Sequence, residues 1–346
     1  MARIIRISGA VLATIAMLVT PVAARGLGAH QSAKSLSVRL VLDVGGVNDK
    51  SFNHLAYTGM LNAEKAFGYS GRYIATQEQS QYVPNLTAAA RTHPTLVIAT
   101  GGLMSQAILT VAKQFPKQHF AIIDGQPADA NFVVHEQHNV ADLLFREQQS
   151  GFLVGVIAGL MEKNHIGAAT HNTIGAMGGL PVPAVIRYIA GYYWGAKKVD
   201  PSITVKIGFS QSFTDQGKGN SVGRAQIAAG ADILFQVAGG SGLGYLRAAQ
   251  QAGKYGIGVD ADQGYLGKYI LTSAIKRVDL SVYNTLRDLA HGYFRSGPHI
   301  FNAKNGGTGF APVSSIVPKR FVAIANSYYL KMKSGALKPP TTYPTS

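Results

Sequence analysis

The chain of 346 residues has 47% hydrophobic residues, 40 glycines and no cysteine. The missing cysteine excludes disulfides, thiolate metal sites and cysteine nucleophiles within this sequence. Lys and Arg outnumber Asp and Glu by 32 to 17, which gives a net charge of +15. Because the cations form no long run and no nucleic-acid-binding motif accompanies them, we expect no nucleic-acid partner. The low carboxylate content instead suits an acidic external medium, in which carboxylates lose their ion pairs.

The N-terminus has the pattern of a secretory signal. Arg3 and Arg6 precede an apolar run, residues 7–20, and small residues lead up to Ala24. The run is shorter than the ~20 residues of a membrane span. We therefore predict a signal peptide over residues 1–24, cleaved after Ala24, with a retained anchor as the alternative. Without a cysteine to carry lipid, we expect a soluble periplasmic or secreted protein that has no lipid anchor.

Strand-like and helix-like runs alternate along the rest of the chain. Strands are predicted at 38–43, 96–100, 120–124, 174–177, 205–209, 233–237 and 257–260, and helices at 105–113, 148–161, 184–197 and 243–252. Most of the strands are continuous apolar runs, as in parallel sheets that are covered on both faces. Alternating β and α elements predict a doubly wound α/β architecture. Seven or more such units are too many for a single sheet of ordinary size, so we predict two lobes.

The predicted lobe boundaries follow from where the chain crosses between the lobes. Crossings are predicted at residues 133–143 and 269–273, since no low-complexity linker occurs. Lobe 1 is then 36–142 plus 273–302, and lobe 2 is 143–272 plus 303–335. Residues 336–346 contain two prolines in succession and are predicted to form a loose tail.

A polar loop follows the first predicted strand and precedes a helix. It is dense in hydrogen-bonding side chains and contains one aromatic ring; its candidate ligand-binding residues are Asp43, Asn48, Asp49, Phe52 and Asn53. Ligands of open α/β sheets bind outside the carboxyl ends of the strands. We therefore predict that this loop contributes to a binding site. The alternative is a helix N-terminus capped by Asp49 or Ser51, with Phe52 in the core.

Carboxylates and a second aromatic residue follow other predicted strands. Asp43, Asp124 and Asp260 end strands directly, and Asp215 follows another. Such a cluster disfavours an anionic ligand in a partly desolvated cleft, so a neutral polyhydroxyl or a cationic ligand fits better. Phe52 and Phe213 follow strands of opposite lobes and could sandwich a planar ring. Each could equally be an ordinary core phenylalanine.

A glycine-rich run, Gly239 to Gly244, follows the strand at 233–237. It lacks the dinucleotide fingerprint, which requires Gly or Ala where this chain has Tyr245. We interpret the run as a tight turn whose backbone N–H groups approach a small ligand, with Gly239 and Gly240 nearest to it. No metalloprotease, nucleophile-elbow or Walker A motif occurs, so we expect no cofactor, no metal site and no enzymatic activity.

Motifs across nearly all of the predicted mature chain resemble those of one known family. They are residues 43–53, 97–101, 121–124, 139–141, 145–148, 212–215, 235–244, 258–263 and 276–279. In these motifs the chain is similar to the basic membrane protein (BMP) family of bacterial substrate-binding proteins, which includes PnrA-like purine nucleoside receptors of ABC transporters. The resemblance implies a type I periplasmic-binding fold, with two doubly wound parallel-sheet lobes, a three-strand hinge and the ligand in the cleft.

The resemblance also implies roles for individual residues. Phe52 and Phe213 would stack the base and Asp124 would read its edge; Asp260, Lys276 and the backbone of Gly239 and Gly240 would hold the ribose; and Asn48, Asp49 and Asn53 would complete the lobe 1 wall. Members commonly have phenylalanine after the glycine of the third strand. This chain has Gly102 and then Leu103 there, so we expect one pocket wall to be more open.

The implied function is that of a monomeric receptor without chemistry of its own. It would deliver a purine nucleoside to an ABC permease and its ATPase, and would meet the membrane only through the permease. Many members carry a lipid-bearing cysteine, which this sequence lacks. Two alternatives remain open at this point: a sensing module for a membrane receptor, and an enzyme that acts on nucleosides.

Overall fold

Two six-stranded sheets organise the part of the chain that the structure, a computed structural model, describes, namely residues 36–344. The strands are β1 (Ser37–Val41), β2 (Ser70–Ile74), β3 (Leu96–Thr100), β4 (Phe120–Ile123), β5 (Val140–Phe145), β6 (Thr173–Gly178), β7 (Thr204–Phe209), β8 (Ile233–Val237), β9 (Tyr255–Asp260), β10 (Ile270–Lys276), β11 (Gly297–Phe301) and β12 (Thr308–Phe310). The predicted signal peptide and its cleavage after Ala24 lie outside the described residues.

Helices separate most of these strands. They are α1 (Phe52–Phe67), α2 (Tyr82–Arg91), α3 (Ser105–Gln114), α4 (Glu147–Lys163), α5 (Pro183–Val199), α6 (Gln216–Ala228), α7 (Gly239–Gln251), α8 (Val278–Ala290) and α9 (Lys319–Ser334). All seven predicted strands and all four predicted helices are present, and β3 and β8 have the predicted bounds. The first strand ends at Val41 and not at Asp43, because the backbone N–H of Asp43 donates to the Asn53 side chain and not to a neighbouring strand.

The two sheets have the same strand order. The first is β11-β5-β4-β3-β1-β2 and the second is β12-β10-β9-β8-β6-β7. All pairs are parallel except β10 with β12, which is antiparallel. Each sheet is covered by helices, and we call the first sheet with its helices lobe 1 and the second lobe 2. Position by position, β4 in lobe 1 therefore corresponds to β9 in lobe 2.

The chain passes between the sheets after β5, after β10 and between β11 and β12. β5 stays in the first sheet as far as Phe145, and β10 stays in the second as far as Lys276. The predicted boundaries at 142 and 273 therefore fall inside strands. Continuous apolar strands carry no signal of which sheet they join, so the sequence could not place these boundaries more closely.

The C-terminal segment is docked as far as Tyr343, which differs from the predicted loose tail. The indole N–H of Trp194 donates to the carbonyl of Thr342 at 2.8 Å. Leu337 and Tyr343 also pack against the core of lobe 2. Apolar contacts and this hydrogen bond therefore offset the entropy of ordering a proline-rich segment.

Close packing of α4 against α5 positions two side chains at the interlobe cleft. A Cβ atom at Gly151 would lie 2.1 Å from the carbonyl oxygen of Tyr188, and one at Gly155 would lie 2.2 Å from that of Tyr192. Only glycine lets the two backbones approach this closely. The contact holds the N-terminal half of α5, with Arg187 and Tyr188, in place beside the carboxyl ends of the lobe 2 strands.

A buried group of charges lies in lobe 2 at the C-terminal end of α4. The Asp232 carboxylate accepts from the Lys254 ammonium and from the backbone N–H of His171, at 2.7 Å for the latter. Fully buried Glu162 accepts one backbone N–H, from Asn172, while its other carboxylate oxygen has no partner among the described residues. Burial, and then the negative charge of Asp232, raise the pKa of Glu162 from 4.5 to about 8.

Glu162→Gln should reduce the pH dependence of stability. The folded protein keeps a proton on Glu162 that the unfolded chain releases above pH 4.5, so this stabilising contribution is complete below 4.5 and is lost as the pH rises through about 8. We expect the parent to lose about 1–3 kcal/mol of unfolding free energy between pH 5.5 and 8.5, and the variant to lose less. Urea unfolding at both pH values measures this. An equal loss in both proteins would contradict it.

Candidate functional site

A cavity lies between the carboxyl ends of the two sheets. Counting the space open to solvent, its volume is about 730 Å³. Nine of the predicted site residues line it: Asp43, Asp49, Phe52, Asn53, Asp124, Phe213, Gly239, Asp260 and Lys276. Segments far apart in sequence and belonging to both lobes thus meet around one space.

Two predicted residues do not line this cavity. Asn48 is exposed on the turn before α1. Gly240 lies in the first turn of α7 under the backbone of Phe213, where a Cβ atom would come within 3.3 Å of the Phe213 carbonyl oxygen. Gly240 therefore serves close packing at this position, and only Gly239 of the pair borders the cavity.

Other lining residues were missed by the sequence analysis. They include Val182, Pro183, Val185 and Tyr188. Most come from α5 and the turn before it, where the sequence shows only an amphipathic helix with proline at its first position. A proline that begins a helix directly after a strand and a short turn is the one local signal that could have drawn attention to this wall.

Asp49 organises the loop before α1. Its carboxylate accepts from the backbone N–H groups of Ser51, Asn53 and His54 at 2.8–3.1 Å. These are donors that a helix N-terminus leaves without partners. The capping alternative is therefore correct for Asp49. The Ser51 side chain makes no capping hydrogen bond, and its hydroxyl donates to Asp260 instead.

Asp43 and Asn53 tie the end of β1 to the start of α1. The Asn53 amide donates to Asp43 Oδ1 at 2.6 Å, and the backbone N–H of Asp43 donates to Asn53 Oδ1 at 3.1 Å. Burial raises the pKa of Asp43 to about 6. These two hydrogen bonds hold the pair as one wall of the cavity. The remaining acceptor, Asp43 Oδ2, lies beside Gly101, since a Cβ atom added to Gly101 would be 3.3 Å from this oxygen.

Lys276, at the end of β10, is the central charge of the cavity. Its ammonium donates to Asp124 of lobe 1 and lies 3.7 Å from Asp260 Oδ1 and 3.9 Å from Glu147 Oε1. Burial alone would lower the pKa of Lys276, but these three carboxylates raise it. The cation therefore persists at neutral pH, and it joins carboxylates from both lobes.

Glu147 and Arg187 extend this charge cluster behind Lys276. Fully buried Glu147 accepts from Arg187 Nε at 2.6 Å and from Nη2 at 3.3 Å. A buried carboxylate between two cations is held in one orientation, because leaving any of these groups unpaired costs several kcal/mol. The Glu147–Arg187 pair thus fixes the position from which Lys276 reaches Asp124.

Asp260 accepts hydrogen bonds from both lobes. The Ser51 hydroxyl of lobe 1 donates to Asp260 Oδ2 at 2.6 Å, and the Tyr188 hydroxyl of lobe 2 donates to Oδ1 at 3.0 Å. The Ser51–Asp260 hydrogen bond and the Lys276–Asp124 contact both join the two lobes directly across the cleft. The structure is therefore that of a closed cleft.

Asp124 and Asp260 share an unusual backbone conformation. Both have a left-handed φ, 61° and 62° respectively, and they stand at the carboxyl ends of the corresponding strands β4 and β9. Such a conformation costs roughly 1–2 kcal/mol for a residue with a Cβ atom, although Asp and Asn adopt it more readily than others. Strain at the same place in both lobes indicates that the fold directs these two carboxylates into the cleft.

Phe52 and Phe213 reach the cavity from opposite lobes. The Phe52 ring packs on the core of lobe 1, and its centre lies 4.7 Å from the Lys276 ammonium. The Phe213 ring lies directly on Gly179, where a Cβ atom would come within 2.4 Å of it. Both rings are only half-buried. Each has one side supported by its own lobe and another that borders the cavity.

The arrangement offers binding groups: two aromatic rings, carboxylate acceptors and one lysine. No group of three or more His, Asp or Glu side chains within residues 36–344 is arranged to hold a metal ion. None of the helices between residues 36 and 344 combines the length and apolar content that a bilayer crossing requires.

Comparison with known proteins identifies the family. The family model of PnrA-like ABC transporter substrate-binding proteins, Bmp, matches residues 37–337. The chain belongs to this Bmp family. The match covers both sheets and every residue that lines the cavity, and it confirms the resemblance found in the sequence motifs.

Relatives of this Bmp protein agree with the assignment. It is 33% identical over 331 residues to the ABC transporter nucleoside-binding protein BmpA of Lactococcus lactis, covering 88% of this chain and 90% of BmpA. It is 31% identical over 315 residues to an uncharacterized lipoprotein of Pyrococcus furiosus, covering 87% of this chain and 77% of the lipoprotein.

A solved structure confirms the fold class. The solute-binding protein of an ABC transporter system from Aeropyrum pernix superposes with a TM-score of 0.80 at 26% identity, covering 88% of this chain and 94% of that one. The prediction of two doubly wound α/β lobes is therefore correct. The Bmp protein is a substrate-binding protein of an ABC transporter, and its family is one of solute receptors and not of enzymes.

Proposed function

We propose that this protein captures a purine nucleoside in the interlobe cleft and delivers it to the permease of an ABC importer. The observation that carries the proposal is the pair of half-buried rings, Phe52 and Phe213, facing one cavity from opposite lobes beside strand-end carboxylates. A planar base gains stacking energy on both faces, while carboxylates accept from ring N–H groups and sugar hydroxyls. Ligand-driven closure then requires tighter binding to the closed form.

The charge cluster suggests where the two halves of a nucleoside lie. Asp124 borders the cavity from lobe 1 and would accept from the base edge. Asp260 and Lys276 border it from lobe 2 with the Gly239 backbone and would hold the ribose, since a carboxylate accepts from two vicinal hydroxyls. Asp49 and Asn53 support the lobe 1 wall by the hydrogen bonds within their loop.

The relatives support the ligand class and leave the anchoring open. The Lactococcus lactis relative is named as a nucleoside-binding protein, which favours a nucleoside here. The Pyrococcus furiosus relative is named as a lipoprotein, so the family does not support the predicted lack of a lipid anchor. The 346 residues contain no cysteine to carry one. We propose an extracytoplasmic monomer whose signal segment is cleaved after Ala24.

Identification of the bound ligand tests this proposal directly. Protein isolated gently from its source is denatured, and the released small molecules are analysed by mass spectrometry. A purine nucleoside in molar ratio to protein supports the proposal, as does recovery of added nucleoside intact after incubation with an equivalent of protein. Release of free base would favour an enzyme, and a co-purifying sugar or amino acid would contradict the ligand class.

Removal of either ring should weaken nucleoside binding. We expect Phe52→Ala and Phe213→Ala each to cost about 1–3 kcal/mol, because stacking on an aromatic ring is worth that much per base. Calorimetric titration with adenosine and inosine measures the loss, which should be similar for both. Phe132→Ala is the matched control, since Phe132 is 86% exposed and lies outside this cavity. A folded variant with unchanged affinity would show that its ring is only a core residue.

A further inference from the structure

A second chamber adjoins the cavity on the side of α3 and the start of α5. The two share five lining residues, Gly102, Leu103, Asp124, Val182 and Pro183. Counting the space open to solvent, the outer chamber has a volume of about 1350 Å³. Small or aliphatic residues form most of the shared wall. Of the residues in the Ser51–Asp260 and Lys276–Asp124 contacts between the lobes, only Asp124 lines the outer chamber. The closed cleft is therefore not sealed on this side.

The outer chamber offers guanidinium donors. Arg146 lines it, is exposed, and its side chain has no partner among the described residues. Arg187 also lines it and uses Nε and Nη2 on Glu147, which leaves its other N–H groups for the chamber. Two carboxylates also line it: Asp124 binds Lys276 through Oδ2 while its Oδ1 has no hydrogen-bond partner among the described residues, and Asp129 accepts from His135 at 3.0 Å. An added anion would thus meet unused donors.

We propose that the outer chamber is a subsite for a substituent on the base, and that the receptor accepts purine nucleosides whose exocyclic amine carries an anionic side chain. The inference rests on the proposed function: Asp124 would meet the base edge, and Asp124 also borders the outer chamber. A group attached to that edge passes Leu103 into the chamber. Its carboxylate then lies near Arg146.

Four ligands test the subsite by calorimetric titration: adenosine itself, and adenosine carrying a dicarboxyethyl, a benzyl or an aminohexyl group on its exocyclic amine. We expect the dicarboxyethyl compound to bind at least as tightly as the benzyl compound, and the aminohexyl compound to bind most weakly, because the unused donors of Arg146 and Arg187 attract a carboxylate and repel an ammonium. Binding of adenosine alone, with all three substituted compounds excluded, would overturn the subsite and leave the nucleoside function intact. Failure of adenosine itself would overturn the proposed function.

Two variants locate the effect in the outer chamber. Arg146→Gln should weaken binding of the dicarboxyethyl compound by about threefold, as expected for an exposed ion pair, and leave adenosine unchanged. Gln106→Trp fills the chamber from the first turn of α3 and should weaken all substituted compounds by about tenfold. Arg91→Gln and Gln114→Trp, exposed residues outside the chamber, are the matched controls. Unchanged affinities in both test variants would contradict the subsite.

Discussion

Replacing Lys276 by methionine is expected to destabilise the protein by about 3–5 kcal/mol and to abolish measurable nucleoside binding, because breaking a buried ion pair leaves an uncompensated charge. Lys276 is 2% exposed and is the ammonium shared by Asp124, Asp260 and Glu147. Methionine has a similar shape but offers no charge. Chemical denaturation measures the first effect and calorimetry the second.

The double variant Lys276→Met with Asp124→Asn separates charge from shape. Removing one carboxylate together with the cation should recover a large part of the lost stability, since fewer buried charges stay unpaired. Nucleoside binding should remain weak, because both polar partners of the ligand are then altered. Lys268→Met, at an exposed position before β10, is the control for the loss of one positive charge. A single variant as stable as the parent would show that the cluster is solvated and not buried.

Asp260→Asn should remove the preference for ribose over deoxyribose. A charge-assisted hydrogen bond contributes about 1.5–3 kcal/mol, so the parent should bind guanosine at least about tenfold more tightly than deoxyguanosine or guanine. Asparagine keeps the shape and tolerates the left-handed φ of 62°, but it loses the charge that accepts from vicinal hydroxyls. Guanosine affinity should fall towards that of deoxyguanosine, while guanine affinity should change little.

Titration of guanosine, deoxyguanosine and guanine against parent and variant provides the measurement. Asp262→Asn is a close control, since Asp262 is exposed, two residues away, and accepts only a local backbone N–H from Gly264. Equal affinity of the parent for guanosine and guanine would contradict the ribose assignment. A similar loss for all three ligands would instead point to the Ser51–Asp260 contact, which closes the cleft irrespective of the ligand.

The sequence predicts those parts of the site that follow directly from strand ends. Asp43, Asp124 and Asp260 come straight after apolar runs, and parallel strands bring such positions to one edge. Asp215 has the same sequence context but caps α6, where its carboxylate accepts from the Lys218 N–H at 3.0 Å. Local sequence cannot distinguish a carboxylate that lines the cavity from one that caps a helix, because both follow a strand.

Residues that helices contribute to the site were not predictable from local patterns. Tyr188 and Arg187 reach the cleft only because glycines bring α4 and α5 into backbone contact. Glu147 begins α4 and is separated from the end of β5 by one residue, yet its role depends on Arg187 and Lys276, which lie 40 residues or more away in the chain. Such positions require the tertiary arrangement, whereas the alternation of β and α elements already indicates the architecture.

The left-handed backbone at Asp124 and Asp260 limits how this binding protein can be redesigned. Glycine and asparagine are the low-strain replacements at such positions, so most other members of a saturation library there would carry a strain cost of roughly 1–2 kcal/mol. Selectivity is more easily altered at Leu103 and Val182, which border the cavity without that backbone constraint. A biosensor built on this scaffold would therefore keep both aspartates constant and vary the aliphatic wall.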